Sequence, residues 1–190
     1  MSVKSHILGT APAFVHVVNR GVLRSPIFFS DRNYEYFLRK TEHALRHNDI
    51  SLLCYCLMPN HFHLLLHQRS PGAISSFMSD VSNGYVKGIN RELDRTGHLF
   101  EGKYKMKHIT TDEYLLHLSR YIHLNPVRAG LVVQPQDWKF SSYREYVNEV
   151  LGSFVETSTI LGVFPQRNLY QDFVAMYKAG DRGKIEGLLF

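Results

Sequence analysis

The first patterned stretch is Ala13 to Asn19 (AFVHVVN), whose β-branched and aromatic residues predict a strand ending at Arg20-Gly21. From Asp31 to about His47 the period changes. Tyr34, Phe37, Leu38, Thr41, Ala44 and Leu45 recur at i, i+3, i+4 and i+7, which predicts a helix with one buried stripe and an N-cap at Ser30-Asp31. Ile50 to Leu57 (ISLLCYCL) and His61 to His67 (HFHLLLH) read as two strands of a hairpin, joined by Met58-Pro59-Asn60. Ser70-Pro71-Gly72 opens a second helix to about Ile89 or Leu93, with Ile74, Phe77, Met78, Val81 and Tyr85 on one face and Gly84 and Gly88 weakening its last turns. Tyr104 to Ile109 (YKMKHI) alternates as a fourth strand. Thr111 then caps a third helix, with Asp112 and Glu113 in its first turn, which is expected to stop near Leu124 because a residue before proline is pushed from helical geometry.

The order βαββαβ has one common compact solution, the ferredoxin-like α+β sandwich, in which two helices cover one face of an antiparallel sheet. The third helix is the candidate to cover the other face. DWKFSSYREYV reads as a loop into a short helix, and Phe154 to Phe190 as additional C-terminal helices ending in a Gly-rich, charged tail. The expected division is therefore a main domain over 1–147 and a helical extension over 148–190.

Composition narrows the function classes. The chain has 190 residues, about one domain's worth, and 44% hydrophobic residues exclude bulk disorder. Twenty-two Lys+Arg against 17 Asp+Glu give +5, a balance that favours nucleic acid over acidic proteins as partner. No apolar run approaches the ~20 residues of a membrane span and Met1 to Pro12 has no secretory apolar core, so a cytoplasmic protein is expected, with no membrane partner. The two cysteines, Cys54 and Cys56, are too close to form a useful bridge.

His61 and His63 stand two apart on a strand, so both imidazoles share one face while Phe62 and Leu64 take the other. That parity suits a metal ion. His67 shares the face but lies about 13 Å from His63 along the strand, too far for the same ion. Alone, a His-x-His is more often a pair of polar residues than a metal site. A second alternative is a zinc site made with Cys54 and Cys56. A two-residue turn would set Cys56 across from His63, whereas a three-residue turn puts the cysteines on the opposite, buried face, and the burial habit of free cysteine favours the latter. On the third helix Glu113, His117, Tyr121 and Asn125 follow at intervals of four, a polar stripe where a core helix would be apolar. Between Gly84 and His108 six basic residues, among them Lys87, Arg91, Lys103 and Lys105, are interleaved with Tyr85, Phe100 and Tyr104. With Arg20, Arg24 and Arg128 they suggest a groove that follows phosphates and stacks unpaired bases.

These segments resemble the single-tyrosine HUH transposases, and within them the REP-associated tyrosine transposases. The match runs through HVVNRG, IFFSD, YCLMPNHFHLLL, GHLFEGKYK, RYIHLNPVRAGL and DWKFSSYREY, about Phe14 to Val147. The resemblance implies that His61 and His63 bind a divalent ion, Mg²⁺ or Mn²⁺, that Tyr121 is the nucleophile, and that Asn125 completes the metal site. It further implies a nuclease and strand transferase, a monomer or homodimer, acting on single-stranded or hairpin DNA through a 5′-phosphotyrosine. Glu101 departs from the pattern, where glutamine is expected. A rolling-circle initiator or relaxase would share the histidine pair but not the YIHLNPV helix. A catalytically silent hairpin-binding protein and a small zinc protein are the remaining alternatives.

Overall fold

The computed structural model describes residues 13–148, 153–177 and 183. Strands β1 (Ala13–Arg20), β2 (Ile50–Met58), β3 (His61–Gln68) and β4 (Lys105–Ile109) form one antiparallel sheet in the order β2-β3-β1-β4. Helices α1 (Asp31–His47) and α2 (Ala73–Glu92) cover one face, and the arrangement is the ferredoxin-like α+β sandwich that the periodicities predict. β3 supplies the reason: Phe62, Leu64 and Leu66 alternate onto the helix layer, with Phe62 fully buried and its ring centroid 5.0 Å from that of Phe37 on α1. Helix α3 (Asp112–Arg128) lies over the opposite face, where His63 meets its Tyr121. None of the described helices is long and apolar enough to cross a membrane.

Two expectations are corrected. The hairpin turn has two residues, Pro59 and Asn60, because Met58 still pairs with His61; Cys56 therefore lies directly across from His63 and Cys54 across from Leu65. The cysteines share the histidine face after all. They are nonetheless fully buried, and burial pushes both thiols well above the usual range, so neither is a ready thiolate ligand. Second, α3 continues through Pro126 to Arg128. Pro126 cannot donate to the Ile122 carbonyl, and the Asn125 carboxamide takes its place: Nδ2 donates to the carbonyls of Tyr121 (2.9 Å) and Ile122 (3.4 Å). Gly88 has a further role, since a Cβ there would sit 2.5 Å from the Tyr36 ring, and Tyr36 donates to the Gly84 carbonyl. The glycines admit α1.

The C-terminal elements α4 (Tyr143–Val147), α5 (Ser158–Leu161) and α6 (Arg167–Ala175) continue the same core. The outer edge of β2 is covered, because Leu57 N–H bonds the Phe140 carbonyl, Ser142 N–H the Tyr55 carbonyl and Glu156 N–H the Leu52 carbonyl. Inside this layer a closed polar chain surrounds His123. Tyr170 Oη donates to Ser119 Oγ (3.1 Å), His123 Nδ1 pairs with Tyr170 Oη (2.7 Å), and His123 Nε2 pairs with Ser142 Oγ (2.9 Å). A neutral imidazole, with one N–H and one lone pair, pairs with both hydroxyls, while Ser142 Oγ also lies 3.3 Å from the Tyr55 carbonyl.

Burial lowers the His123 pKa to about 3. The unfolded chain, with an ordinary histidine pKa near 6.5, then binds the extra proton first, so this residue's contribution is fully present above pH 6.5 and lost as pH falls toward 3. Between pH 7.5 and 5.0 the wild-type chain should lose about 2 kcal/mol more unfolding free energy than His123→Gln. Urea titrations at the two pH values measure this; equal losses would contradict a neutral buried His123.

Candidate active site

A cavity of about 260 Å³ opens where β1, β3 and α3 meet, lined by Val18, Asn19, Arg20, Arg24, Asn60, His61, His63, Glu101, Lys105 and Tyr121. The sheet supplies most of it. Val18 pairs with His63 and Arg20 with His61 on one side, and Lys105 pairs with Val18 on the other, so strand parity aims all five at the α3 face. Arg24 arrives by a tight turn, Val22–Arg24, in which Leu23 and Arg24 hold positive φ of 53° and 60°. Gly21 makes that turn feasible, since a Cβ would fall 2.1 Å from the Ser25 carbonyl oxygen.

The two imidazoles stand edge to face, centroids 5.1 Å apart. Burial first, and the nearby Arg20 second, lower the His61 pKa to about 4; burial, then His16 and His61, hold His63 well below the usual histidine range. Both are neutral at pH 7, the state a ligand needs. At His61 the tautomer is fixed by geometry. Asn60 Nδ2 donates to the Arg24 carbonyl (3.0 Å), which turns Asn60 Oδ1 toward His61 Nδ1 (2.7 Å). An amide oxygen only accepts, so His61 carries its proton on Nδ1 and keeps a bare Nε2. Among the described residues no group of three or more His, Cys, Asp or Glu could hold a metal ion. The donor set is therefore two neutral imidazoles, which suits a divalent ion that completes its shell with water, amide or phosphate oxygens.

Tyr121 enters from α3, its ring edge-on to His63 at 5.8 Å between centroids. The guanidinium of Arg128, two turns on, lies 5.0 Å from the Tyr121 ring centre and 5.6 Å from that of Tyr177. The polar stripe on α3 divides its duties. His117 turns away from the cavity, accepting at Nδ1 from Arg120 (2.6 Å) and packing on Phe173 of α6. Asn125 is not part of the cavity lining; its amide holds the backbone of the turn that carries Tyr121.

The model of the family described as "Transposase IS200 like" matches residues 12–125, more than half of the chain. The chain belongs to the IS200-like transposase family. Its fold is that of a solved REP-associated tyrosine transposase bound to a REP hairpin, with a TM-score of 0.64, 18% identity, and 82% of this chain and 91% of that one covered. A putative transposase from Deinococcus radiodurans is similar at TM-score 0.44 and 15% identity over 63% of this chain and 95% of that one. The tRNA(His) guanylyltransferase of Saccharomyces cerevisiae is similar at TM-score 0.45 and 9% identity over 96% of this chain and 79% of that one. No curated protein matches.

The other basic positions of this transposase divide between two surfaces. Arg20, Arg24 and Lys105 rim the histidine cavity, whereas Lys87, Lys103 and Tyr104 line a second groove of about 840 Å³ between α2 and residues 97–104. Asn19 borders both, and its Nδ2 donates to the Gly102 carbonyl. Arg91 is exposed on the last turn of α2 and lines neither. Sequence reading did not single out Val18, Asn19 and Asn60 of the lining, nor His16 behind it; Asn60 and His16 are the two that contact the histidine ligand candidates through their side chains. The signal for Asn60 was its place beside His61 in the turn.

Glu101, at the position where glutamine is expected from the resemblance, is engaged in an ion pair. Its carboxylate pairs with Arg20 at the cavity rim, held there because Glu101 N–H bonds the Arg20 carbonyl (3.0 Å). Both side chains are partly exposed, so the pair is weak and exchangeable. Glu101→Gln should tighten single-stranded DNA binding about three- to tenfold at low salt, with the gain fading at high salt. Fluorescence anisotropy measures it, and unchanged affinity would show that Glu101 does not compete with phosphate for Arg20.

Proposed function

We propose that this transposase cuts and joins single strands at hairpin-forming repeats or transposon ends, with Tyr121 as nucleophile and His61 and His63 as ligands of Mg²⁺ or Mn²⁺. One observation carries this reading: two neutral imidazoles from β3 and a tyrosine from α3 converge in one cavity with a basic rim. The hairpin in the similar REP-associated structure supports hairpin DNA as the substrate class. All three side chains meet within one chain.

The chemistry follows from the groups present. Tyr121 Oη forms a bond to the scissile phosphorus, the P–O3′ bond breaks, the phenolic proton leaves to solvent, and the released 3′ oxygen takes up a proton. The divalent ion, when bound, polarises the phosphate and stabilises the charge that develops on the leaving oxygen. The 5′-phosphotyrosine retains the phosphodiester energy, so attack by another 3′-OH reverses the step and joins strands without ATP. Arg20, Arg24 and Lys105 place the phosphate. Arg128 stacks on the Tyr121 ring and holds its orientation. Asn125 serves through the helix turn behind Tyr121, where its Nδ2 holds the Tyr121 carbonyl; ligation by its oxygen would require the side chain to reach into a cavity that it does not line. The groove with Lys87, Lys103 and Tyr104 offers a path for flanking unpaired nucleotides, by phosphate contact and base stacking.

Incubation with end-labelled hairpin DNA and Mn²⁺, followed by denaturing electrophoresis and peptide mapping, should place a 5′-linked adduct on Tyr121, and Tyr121→Phe should give none while still binding the hairpin. An adduct in that variant, on Tyr104 or Tyr114 for instance, would overturn the assignment. Binding should also weaken with salt, by a log–log slope of roughly −0.7 per phosphate contacted. A flat salt profile contradicts the basic groove.

A further inference from the structure

We propose that His16 is a positioning residue for the metal site: buried behind His63, it accepts the Nδ1–H of His63 and so keeps the Nε2 lone pair of that ligand available to the cavity. The inference rests on the metal reading given above. His16 lies on β1, facing Leu65 of β3, and so is the diagonal neighbour of His63 on the same sheet face. It is 0% exposed, its Nε2 is 2.9 Å from His63 Nδ1, and the two rings are nearly parallel, 17° apart with centroids separated by 5.2 Å.

A neutral imidazole has one proton and one lone pair, and the nitrogen that carries the proton cannot ligate. The contact between His16 and His63 has two possible directions. If His16 donated, the His63 proton would sit on Nε2 and block the site. Ligation therefore requires His63 to donate and His16 to accept, with the His16 proton on its Nδ1. His61 provides the parallel case within the same cavity, for Asn60 Oδ1 forces the same Nδ1–H form there. Both ligands are thus gripped at Nδ1 and present Nε2, each by its own partner. A histidine suits the buried partner position because a neutral acceptor avoids the desolvation cost that a carboxylate would meet in a fully enclosed place.

The test uses the full chain without DNA. Mn²⁺ affinity is measured by calorimetry and by loss of the free-ion electron paramagnetic resonance signal, for wild type, His16→Phe, His16→Gln and His63→Ala. Wild type should bind, His63→Ala should not, His16→Phe should weaken binding about 10- to 100-fold, and His16→Gln, whose amide oxygen restores an acceptor, should recover most of the loss. Nitrogen-15 shifts of metal-free wild type should show His63 as the Nδ1–H tautomer, a readout that a packing role alone would not set and that stands even if His16→Phe misfolds. An Nε2–H tautomer, or equal affinity in a folded His16→Phe while His63→Ala is silent, overturns the inference alone. Absence of Mn²⁺ binding by wild type overturns the metal reading and the inference with it.

Discussion

The β2–β3 hairpin register is the constraint on which the rest depends. Side chains alternate along a strand, so a slip of one residue would send His61 and His63 into the helix layer and Phe62, Leu64 and Leu66 out of it. The structure clamps the turn that sets this register. Ile27 and Phe28 N–H both bond the Pro59 carbonyl, Gly21 N–H bonds the Asn60 carbonyl, and the Asn60 side chain holds Arg24. The same contacts bring Arg20 and Arg24 to the cavity rim, so one turn fixes both the ligands and the cations around them.

The face under α3 is a polar interior, and its stability and its chemistry share one device. His16 and His63 are buried under the helix and His123 on its other side, and each is satisfied by neighbours that fit a neutral ring. Helix α3 joins the two halves. Tyr121 and His123 are two positions apart, hence on different sides of the helix: one faces the cavity, while the other is locked to Ser142 and Tyr170. Leu115, Leu118 and Ile122 are buried with the core. The C-terminal layer thus anchors the helix that presents the tyrosine, and Tyr177 reaches Arg128 beside it.

Much of this was legible in the sequence for physical reasons. Periods of 2 and 3.6 identify the strands and helices, and the spacing of His61 and His63 identifies their shared face. The turn length was not legible, because Met58 is equally at home at a strand end or in a loop, and only pairing with His61 decides between them. Proline rules end α3 too early because they do not count a neighbouring carboxamide that replaces the lost donor. His16 was hidden within AFVHVVN, where it reads as a strand position like its neighbours; its role exists only once β1 lies beside β3. The second groove is likewise a product of tertiary structure, since α2 and residues 97–104 meet only in the fold.

The central claim is that the polar face of this sheet is a divalent-metal centre facing the α3 tyrosine. Diffraction at the manganese absorption edge from crystals soaked in Mn²⁺ tests it most directly. The account predicts one anomalous peak within bonding distance of Nε2 of both His61 and His63, on the side of the cavity that Tyr121 lines. A peak at Cys54 and Cys56, or an empty cavity at saturating Mn²⁺, would contradict it.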